Sequence, residues 1–282
     1  MLQIALPNKG TLAEDSMRLV QEAGYKCRRM GKELMISDVE NGIDFFFLRP
    51  KDIAVYVRKG ILALGLTGRD LVMDSGAHLV EILPLHFGKS RFCYAVPEDS
   101  PITPESLQGC RIATSYATLV ARDLAARGVD AEIIQLDGAV EISIRLGVSD
   151  VIADVVQTGK TLKDAGLKIV GGTILESEAV LVGRDEAVLE NPLVKTFVER
   201  LRGIVVARDY VIVEYDVEER LLDEACRITP GIESPTVSPL SKKGWVAVKA
   251  MAKKKEVNAI MDALTAIGAR GIMVMDIRTC RI

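Results

Sequence analysis

The chain has 282 residues, of which 49% are hydrophobic and 27% charged, with a formal net charge of -3 and a pI of about 5.6. A chain of this length predicts two or three domains. The weakly acidic balance argues against a nucleic-acid-binding protein, which normally carries a concentrated basic face.

The cysteine and histidine content limits which disulfides, metal sites and catalytic triads the chain can form. Five cysteines are scattered without a C-x-x-C pair, which predicts free thiols in a reducing compartment and neither a disulfide framework nor a zinc site. Only His78 and His86 are available for histidine-based metal clusters or triads. The first residues lack the cationic start of a signal peptide, and no run of about 18 uncharged apolar residues follows. We therefore expect a cytoplasmic protein without a membrane span.

Residues 1–90 alternate short apolar runs with amphipathic stretches. The predicted elements are a strand at 3–6, a helix at 11–23, a strand at 45–48, a helix at 51–58 and a strand at 62–66. Apolar residues at helical spacing and a terminating Gly24 define the first helix. This alternation is typical of a mostly parallel sheet covered by helices.

A second α/β unit begins near Arg91. Its predicted elements are strands at 92–96, 111–114, 131–136 and 150–156, with helices at 119–127 and 140–146. A strand at 179–182 and a helix at 192–202 are expected to return the chain to the first unit. We predict two lobes, the first at 1–90 with about 184–207 and the second at 91–183, with a ligand cleft between them.

The last segment, 208–282, has a different order of elements. Strands are predicted at 210–217, 236–240, 245–251 and 271–277, with helices at 218–228 and 257–267. The order βαββαβ is the ferredoxin-like pattern, so we predict a separate C-terminal domain.

One segment combines a predicted strand with a loop suited to an anion. The strand at 150–156 runs through Asp154 into Thr158-Gly159-Lys160-Thr161. Small residues let backbone N–H groups approach an anion, and a carboxylate before the loop suits sugar hydroxyls, so the segment fits a ribose 5-phosphate. An ordinary strand-to-helix turn capped by hydroxyls explains the pattern about equally well. A P-loop is rejected because Asp154 occupies the position of its first glycine.

Cations follow two other predicted strands. Lys9 lies in a turn after the first strand, and Arg49 and Lys51 lie after the aromatic strand at 45–48. Open α/β sheets bind ligands at these carboxyl ends, and cations there suit phosphate or pyrophosphate. Each turn alone is equally explained as exposed surface. Together they are more persuasive and predict a site for phosphate or pyrophosphate.

Two further turns carry carboxylates. Asp70 follows the strand at 62–66, and Glu141 lies at a predicted helix N-terminus, where it suits a substrate hydroxyl. A favourable charge in a first helical turn explains Glu141 slightly better when that segment is considered alone.

Taken together, these segments resemble the long form of the ATP phosphoribosyltransferase family. The matching stretches, which span essentially the whole chain, are PNKG at 7–10, FFFLRPKDIA at 45–54, GLTGRD at 65–70, RIATSY at 111–116, LDGAVEIS at 136–143, DVIADVVQTGKTL at 150–162, TPGIESPTVSPL at 229–240 and VNAIMDALTAIGA at 257–269. The chain departs from the family pattern at Ala63, Ala117, Thr118 and Ala121.

The resemblance implies two periplasmic-binding-protein-like (type II) lobes with the active site between them, followed by a regulatory ferredoxin-like domain. It implies transfer of phosphoribose from phosphoribosyl pyrophosphate (PRPP) to N1 of ATP, the first step of histidine biosynthesis. It also implies a requirement for Mg²⁺, feedback inhibition by histidine and assembly into dimers and hexamers.

The resemblance also implies site residues at the matching positions, while the metal ligands stay unassigned. In the implied reaction, the catalytic residues Lys9, Arg49 and Lys51 would neutralise the leaving pyrophosphate together with Mg²⁺. PRPP and ATP would be bound by Asp70, Glu141, Asp154, Val155, Gln157, Thr158, Gly159, Lys160 and Thr161. Histidine would be bound by Asp216, Ser234, Pro235 and Thr236. A non-catalytic small-molecule sensor and a regulatory subunit are the alternatives. The cations at the strand ends disfavour the sensor, and the intact loop at 154–161 disfavours the regulatory subunit.

Overall fold

A computed structural model describes residues 1–29 and 31–281. Contacts divide the chain into two compact units, Met1–Thr196 and Phe197–Ile282. The boundary therefore lies inside the helix Pro192–Asp209, upstream of the boundary expected near residue 208. In the part of the chain described, no helix combines the length and apolar character needed to cross a membrane.

The first lobe of the larger unit is built on a six-stranded sheet. Its elements are β1 (Leu2–Pro7), α1 (Thr11–Glu22), β2 (Met35–Asp38), β3 (Ile43–Leu48), α2 (Pro50–Arg58), β4 (Leu64–Gly68), α3 (Arg69–Asp74) and β5 (Val80–Pro84). The strand order is β2-β3-β1-β4-β11-β5, in which β11 is a later strand, Ala179–Gly183. Because β1 pairs in parallel with β3 and β4, their carboxyl ends meet at one edge.

The second lobe follows with a five-stranded sheet. Its elements are β6 (Ser90–Pro97), β7 (Arg111–Thr114), α4 (Ala117–Arg127), β8 (Glu132–Gln135), α5 (Ile142–Arg145), β9 (Val151–Val156), α6 (Lys160–Asp164) and β10 (Leu167–Ser177). The order is β10-β6-β9-β7-β8. Strand β11 then returns to the first sheet between β4 and β5, so the second lobe ends before the residue 183 expected from the sequence. The predicted pair of periplasmic-binding-protein-like lobes is confirmed.

The C-terminal unit has one four-stranded sheet with two helices on one face. Its elements, after helix α7 (Pro192–Asp209), are β12 (Tyr210–Glu218), α8 (Leu222–Ile228), β13 (Thr236–Pro239), β14 (Trp245–Lys253), α9 (Val257–Ala266) and β15 (Arg270–Asp276). The strand order is β13-β14-β12-β15. Alternating buried residues of β12 pack against the apolar faces of α8 and α9, which confirms the predicted ferredoxin-like order.

Three strands and two short helices were missed from the sequence: β2, β5, β10, α3 and α6. Strand β10 illustrates the reason, because most of its eleven residues are partly or fully exposed. A strand of this kind lacks the apolar run or the regular alternation that predicts a buried one.

Helix α2, whose N-terminus lies at the candidate site, is held in place by close packing against β4. Pro50 occupies its first turn, where a proline loses no helical hydrogen bond. The helix buries Ile53 and Val57 completely against β4. A Cβ atom on Gly65 of β4 would collide with both side chains, so this glycine allows the close approach.

Candidate functional site

Two adjacent strand ends bring the predicted catalytic cations together. Pro7 of β1 is in register with Leu48 of β3, and the Asn8 backbone N–H donates to the Leu48 carbonyl at 2.8 Å. Lys9 follows the first strand, whereas Arg49 is the N-cap residue of α2 after the second. The two turns therefore leave the sheet at the same level.

These cations border a cavity of about 410 Å³ between the two lobes. Its lining comprises Lys9, Arg49, Pro50, Lys51 and Leu71 from the first lobe, and Ser115, Tyr116 and Asp137 from the second. All three cationic side chains belong to exposed or solvent-facing turns. Positive charge in a concave, water-accessible region suits a polyphosphate.

A further cation lies beside the Lys9 turn. The Arg29 guanidinium stacks 4.7 Å from the Phe47 ring centroid and donates to the Asn8 carbonyl at 3.3 Å. Within the described residues, Arg29 Nε and Asn8 Oδ1 are buried without a hydrogen-bond partner. The sequence did not single out Arg29, because 20 residues and one helix separate it from Lys9 in the chain.

Asp70 is buried at the start of α3, with only 6% of its surface exposed. Its carboxylate accepts a hydrogen bond from Ser177 Oγ at 2.9 Å, and its own backbone N–H donates to the same hydroxyl at 3.0 Å. The Tyr116 hydroxyl interacts with this carboxylate across the cleft. Burial raises the pKa of Asp70, although the hydrogen bonds from these neighbours work in the opposite direction.

Tyr116 connects the cavity to this acidic region. Its ring lies 5.2 Å from the Phe92 ring in an edge-to-face arrangement, and it also lines the cationic cavity. Burial raises the pKa of Tyr116 far above its ordinary value, and the charges of Asp70, Asp154 and Asp74 add to the shift. The phenol is therefore a permanently neutral hydrogen-bonding group at any physiological pH.

Asp154 lies within β9 of the second lobe, two residues before the strand ends. Burial is the main cause that raises its pKa, and the negative charges of Glu141 and Asp70 raise it further. The Val155 backbone N–H donates to the Asp154 carboxylate at 2.7 Å and partly offsets this shift. Three carboxylates predicted from separate turns thus lie within electrostatic reach of one another.

The loop after Asp154 has the conformation of a tight turn into α6. Gly159 has a φ of 77°, a left-handed value that favours glycine. The Lys160 backbone N–H points at Thr158 Oγ1 at 3.4 Å, and the side chains of Gln157, Thr158, Lys160 and Thr161 are exposed. Both explanations offered for this loop, an anion cradle and a hydroxyl-capped turn, agree with this geometry.

A second cavity of about 360 Å³ lies on the other side of Asp70. It is lined by Arg69, Lys89, Ser90, Arg91, Val156, Gln157, Glu176, Ser177 and Glu178. Arg69 is neutralised there by Glu81 and Glu178, at 2.7 and 3.3 Å. Ser177 lines this cavity while Tyr116 lines the first, so the Asp70 carboxylate lies between the two.

The fit of a divalent cation can be judged from the donors present. Among the described residues, no group of three or more His, Cys, Asp or Glu side chains forms a metal cage. Mg²⁺ commonly binds through one or two carboxylates together with substrate phosphates and water. Asp137 lines the cationic cavity itself. Asp70 and Asp154 lie outside that lining, within electrostatic reach of each other. The carboxylates present in and near the cavity fit this mode of Mg²⁺ binding.

The residues predicted to bind histidine lie on the C-terminal sheet. Asp216 is on β12, Thr236 begins β13, and Ser234 and Pro235 precede it in an exposed loop. Ser238 and Asp216 flank Ala247 of β14 from opposite sides. Asp216 and Thr236 therefore share the face opposite the helices, but two strand spacings and an offset of two residues along the strand separate their backbones by roughly 12 Å.

Comparisons with known proteins agree across the whole chain. A family model described as ATP phosphoribosyltransferase matches residues 49–203, and one described as HisG, C-terminal domain, matches residues 207–279. ATP phosphoribosyltransferases from Salinibacter ruber and Corynebacterium jeikeium are 61% and 51% identical over 282 residues, covering all of both chains.

A solved structure shows the same similarity in three dimensions. A chain of the ATP phosphoribosyl transferase (HisG:HisZ) complex from Thermotoga maritima superimposes with a TM-score of 0.64 at 28% identity. The match covers 74% of this chain and 98% of that one.

Proposed function

Because the chain belongs to the ATP phosphoribosyltransferase family, we propose that it transfers phosphoribose from PRPP to N1 of ATP and releases pyrophosphate. The family is one of pentosyltransferases, so the chain is an enzyme. The observation that carries the proposed use of the cleft is the set of Lys9, Arg49 and Lys51 around one cavity beside Asp70 and Asp154.

The chemistry assigns these groups distinct roles. The bond between the anomeric carbon of PRPP and the pyrophosphate oxygen breaks, and its electron pair leaves with pyrophosphate. A lone pair on adenine N1 forms the new bond to that carbon, so no base has to deprotonate N1 first. Lys9, Arg49 and Lys51 stabilise the departing charge, which is the main electrostatic demand of this step.

The acidic side of the cleft orients the sugar. We assign the ribose 5-phosphate to the loop from Val155 to Thr161, and the ribose hydroxyls to Asp154 and Glu141. Asp70 lies on the opposite, first lobe, where we assign it to the second substrate, ATP. Holding both reactants in line supplies much of the catalysis in a reaction that needs little proton transfer. Bound Mg²⁺, held by Asp70 and Asp154 together with phosphate oxygens, would neutralise part of the pyrophosphate charge.

We assign feedback inhibition by histidine to the C-terminal unit. Asp216 offers a carboxylate for the amine of histidine, and the hydroxyls of Ser234 and Thr236, next to Pro235, suit its imidazole. This division keeps catalysis in residues 1–207 and regulation in residues 208–282.

We also propose assembly into a homo-oligomer, a dimer or a hexamer. The open face of the C-terminal sheet supports this, because Met273 and Met275 of β15 are 53% and 41% exposed on it. Apolar side chains gathered on an open sheet face are typical of an interface. Light scattering with and without histidine measures the oligomer directly.

The reaction is tested by measuring pyrophosphate release from the purified chain with ATP, PRPP and Mg²⁺. We expect turnover only when both substrates are present, and a lower rate on addition of histidine. Absence of pyrophosphate release under these conditions would refute the proposed activity, whereas turnover insensitive to histidine would refute only the regulatory part.

A further inference from the structure

The turn between β7 and α4 in the second lobe is held by a side chain of the first lobe. Helix α4 has no side-chain cap of its own, since Tyr116 at its N-cap position makes no such bond. Asp74 Oδ1 instead accepts hydrogen bonds from the backbone N–H groups of Thr118 and Leu119, at 3.0 and 3.2 Å. First-turn N–H groups have no acceptor within their own helix, so Asp74 caps α4 across the cleft.

Helix α3 presents two carboxylates to this same turn. Asp70 and Asp74 are four residues apart, a spacing that places both on one side of a helix. Each is only 6% exposed. Asp70 interacts with the Tyr116 hydroxyl while Asp74 caps the helix that Tyr116 precedes. The turn that supplies Ser115 and Tyr116 to the cavity is thus fixed from the opposite lobe.

Lys51 is part of the same arrangement. Its Nζ donates to the Ser115 carbonyl at 2.8 Å and lies 3.7 Å from Asp74 Oδ2. Asp74 therefore contacts both the helix terminus and a cation that lines the cavity. Arg122, one turn further along α4, adds a contact from its Nη1 to the Met73 carbonyl at 3.4 Å.

We propose that Asp74 is a positioning residue for the transfer reaction, which caps α4 across the cleft and orients the Lys51 ammonium at the cavity wall. The proposal rests on the proposed function of this cleft. Asp74 lines neither of the two cavities described above and acts through Lys51 and the β7–α4 turn. Without the Asp74 carboxylate, the conformation of Lys51 and the β7–α4 turn that binds substrate is populated less. The apparent affinity for substrate falls by the same fraction.

Three variants of the full chain separate this role from a purely structural one. In Asp74→Ala, we expect faster amide hydrogen exchange at Thr118 and Leu119 and a rise of about tenfold in KM for PRPP. The kcat should change by less than about threefold, because saturating substrate restores the arrangement that is competent for binding. In Asp74→Asn, the amide oxygen accepts the same two bonds, so protection should return, whereas the amide NH₂ cannot pair with the Lys51 ammonium, so KM should fall only part of the way to wild type. The exposed Asp130→Asn, in the second lobe just after α4, should match wild type in both measurements.

Unchanged exchange at Thr118 and Leu119 in Asp74→Ala would overturn the proposal. So would a loss of kcat and thermal stability at constant KM, since that pattern belongs to a structural residue. If Asp74→Ala does not fold, Arg122→Ala takes its place, with an expected rise of about two- to threefold in KM at unchanged melting temperature. An unchanged KM in that variant then counts against the proposal. A wild-type chain that releases no pyrophosphate refutes the proposed function, yet the exchange measurement still tests the cap.

Discussion

Asp154 of the second lobe lies within electrostatic reach of Asp70 of the first lobe. Burial is the main cause that raises the pKa of Asp154, and the negative charges of Glu141 and Asp70 raise it further. Such a concentration of buried negative charge destabilises a protein unless a ligand compensates it, and is therefore more common at functional sites than elsewhere.

Replacing Asp154 by Asn should stabilise the protein while it nearly abolishes turnover. Removal of the charge relieves the repulsion with Glu141 and Asp70, and we expect a gain of about 0.5–2 kcal/mol in the free energy of unfolding at neutral pH. Urea titrations followed by circular dichroism measure this gain. The exposed carboxylate of Asp164, in the neighbouring helix α6, gives the matched control Asp164→Asn, which should change stability by less than about 0.5 kcal/mol.

The stability gain of Asp154→Asn should depend on pH with a defined sign. The pKa of Asp154 is higher in the folded than in the unfolded protein. The stability associated with its protonated form is therefore fully present below the unfolded pKa and is lost as pH rises through the folded pKa, because ionisation of Asp154 is unfavourable in the fold. The advantage of the Asn variant should therefore be absent near pH 3, where both side chains are neutral, and grow towards pH 7. A constant difference over this range would contradict the assigned cause.

Thr161→Ala should impair the use of PRPP. If the loop holds the 5-phosphate, loss of one hydroxyl donor removes a charge-assisted hydrogen bond, and kcat/KM for PRPP should fall by about ten- to hundredfold. Steady-state kinetics at saturating ATP give this ratio. Thr265→Ala, in helix α9 of the C-terminal unit, is the matched control. Near-normal kinetics for Thr161→Ala would favour the alternative of an ordinary capped turn.

Arg49→Ala should lower kcat strongly. A guanidinium that stabilises the departing pyrophosphate acts mainly in the transition state, so we expect a loss on the order of 100- to 1000-fold. Arg58, at the opposite end of the same helix α2, provides the control Arg58→Ala, which should retain wild-type turnover. An equal effect of the two substitutions would indicate a general charge effect and not a role at the cavity.

Asp216→Ala should weaken inhibition by histidine without altering basal turnover. Loss of a carboxylate that binds the amine costs about 1.5–3 kcal/mol, equivalent to a rise of roughly ten- to hundredfold in the inhibition constant. Glu214→Gln, two residues away on the same face of β12, is the control. Truncation of the chain near Arg208 would be a less specific test of the histidine site. The Cys280 backbone N–H donates to the carbonyl of Gly203 in α7 at 3.0 Å, and a truncated chain would lose that contact. Unchanged inhibition of Asp216→Ala would exclude this residue from the histidine site.

Gly65→Ala should destabilise the first lobe and disturb α2. The added Cβ would collide with the fully buried Ile53 and Val57, and overpacking of this kind costs about 1–3 kcal/mol. Thermal unfolding measures the loss. Gly172→Ala is the control, because a Cβ there meets no atom within 4 Å. A stability equal to wild type for Gly65→Ala would show that α2 can move away without cost.

The separate segments of the candidate site could be identified from the sequence because their signals are local. Asp154 lies near the end of a strongly apolar strand, which the 158–161 loop follows, and Lys9, Arg49 and Lys51 follow two other strands, so α/β-sheet geometry places them at strand ends. Periodicity also gave the βαββαβ order of the C-terminal unit, where buried and exposed residues alternate clearly along β12.

Contacts between segments distant in the chain depended on the tertiary structure. Asp74 and Thr118 are separated by 44 residues and belong to different lobes, and neither lies in a pattern that predicts the other. The pairing of β11 with β4, and the place of Arg29 beside Asn8, are of the same kind.

The sequence by itself indicated most of the strands and helices and which charges follow the strand ends, because hydrophobic periodicity and turn residues act over a few neighbours. Only the tertiary structure decided which of those ends face each other. That choice depends on how whole layers pack and on which buried polar groups find partners across the cleft, and no local stretch of sequence contains this information.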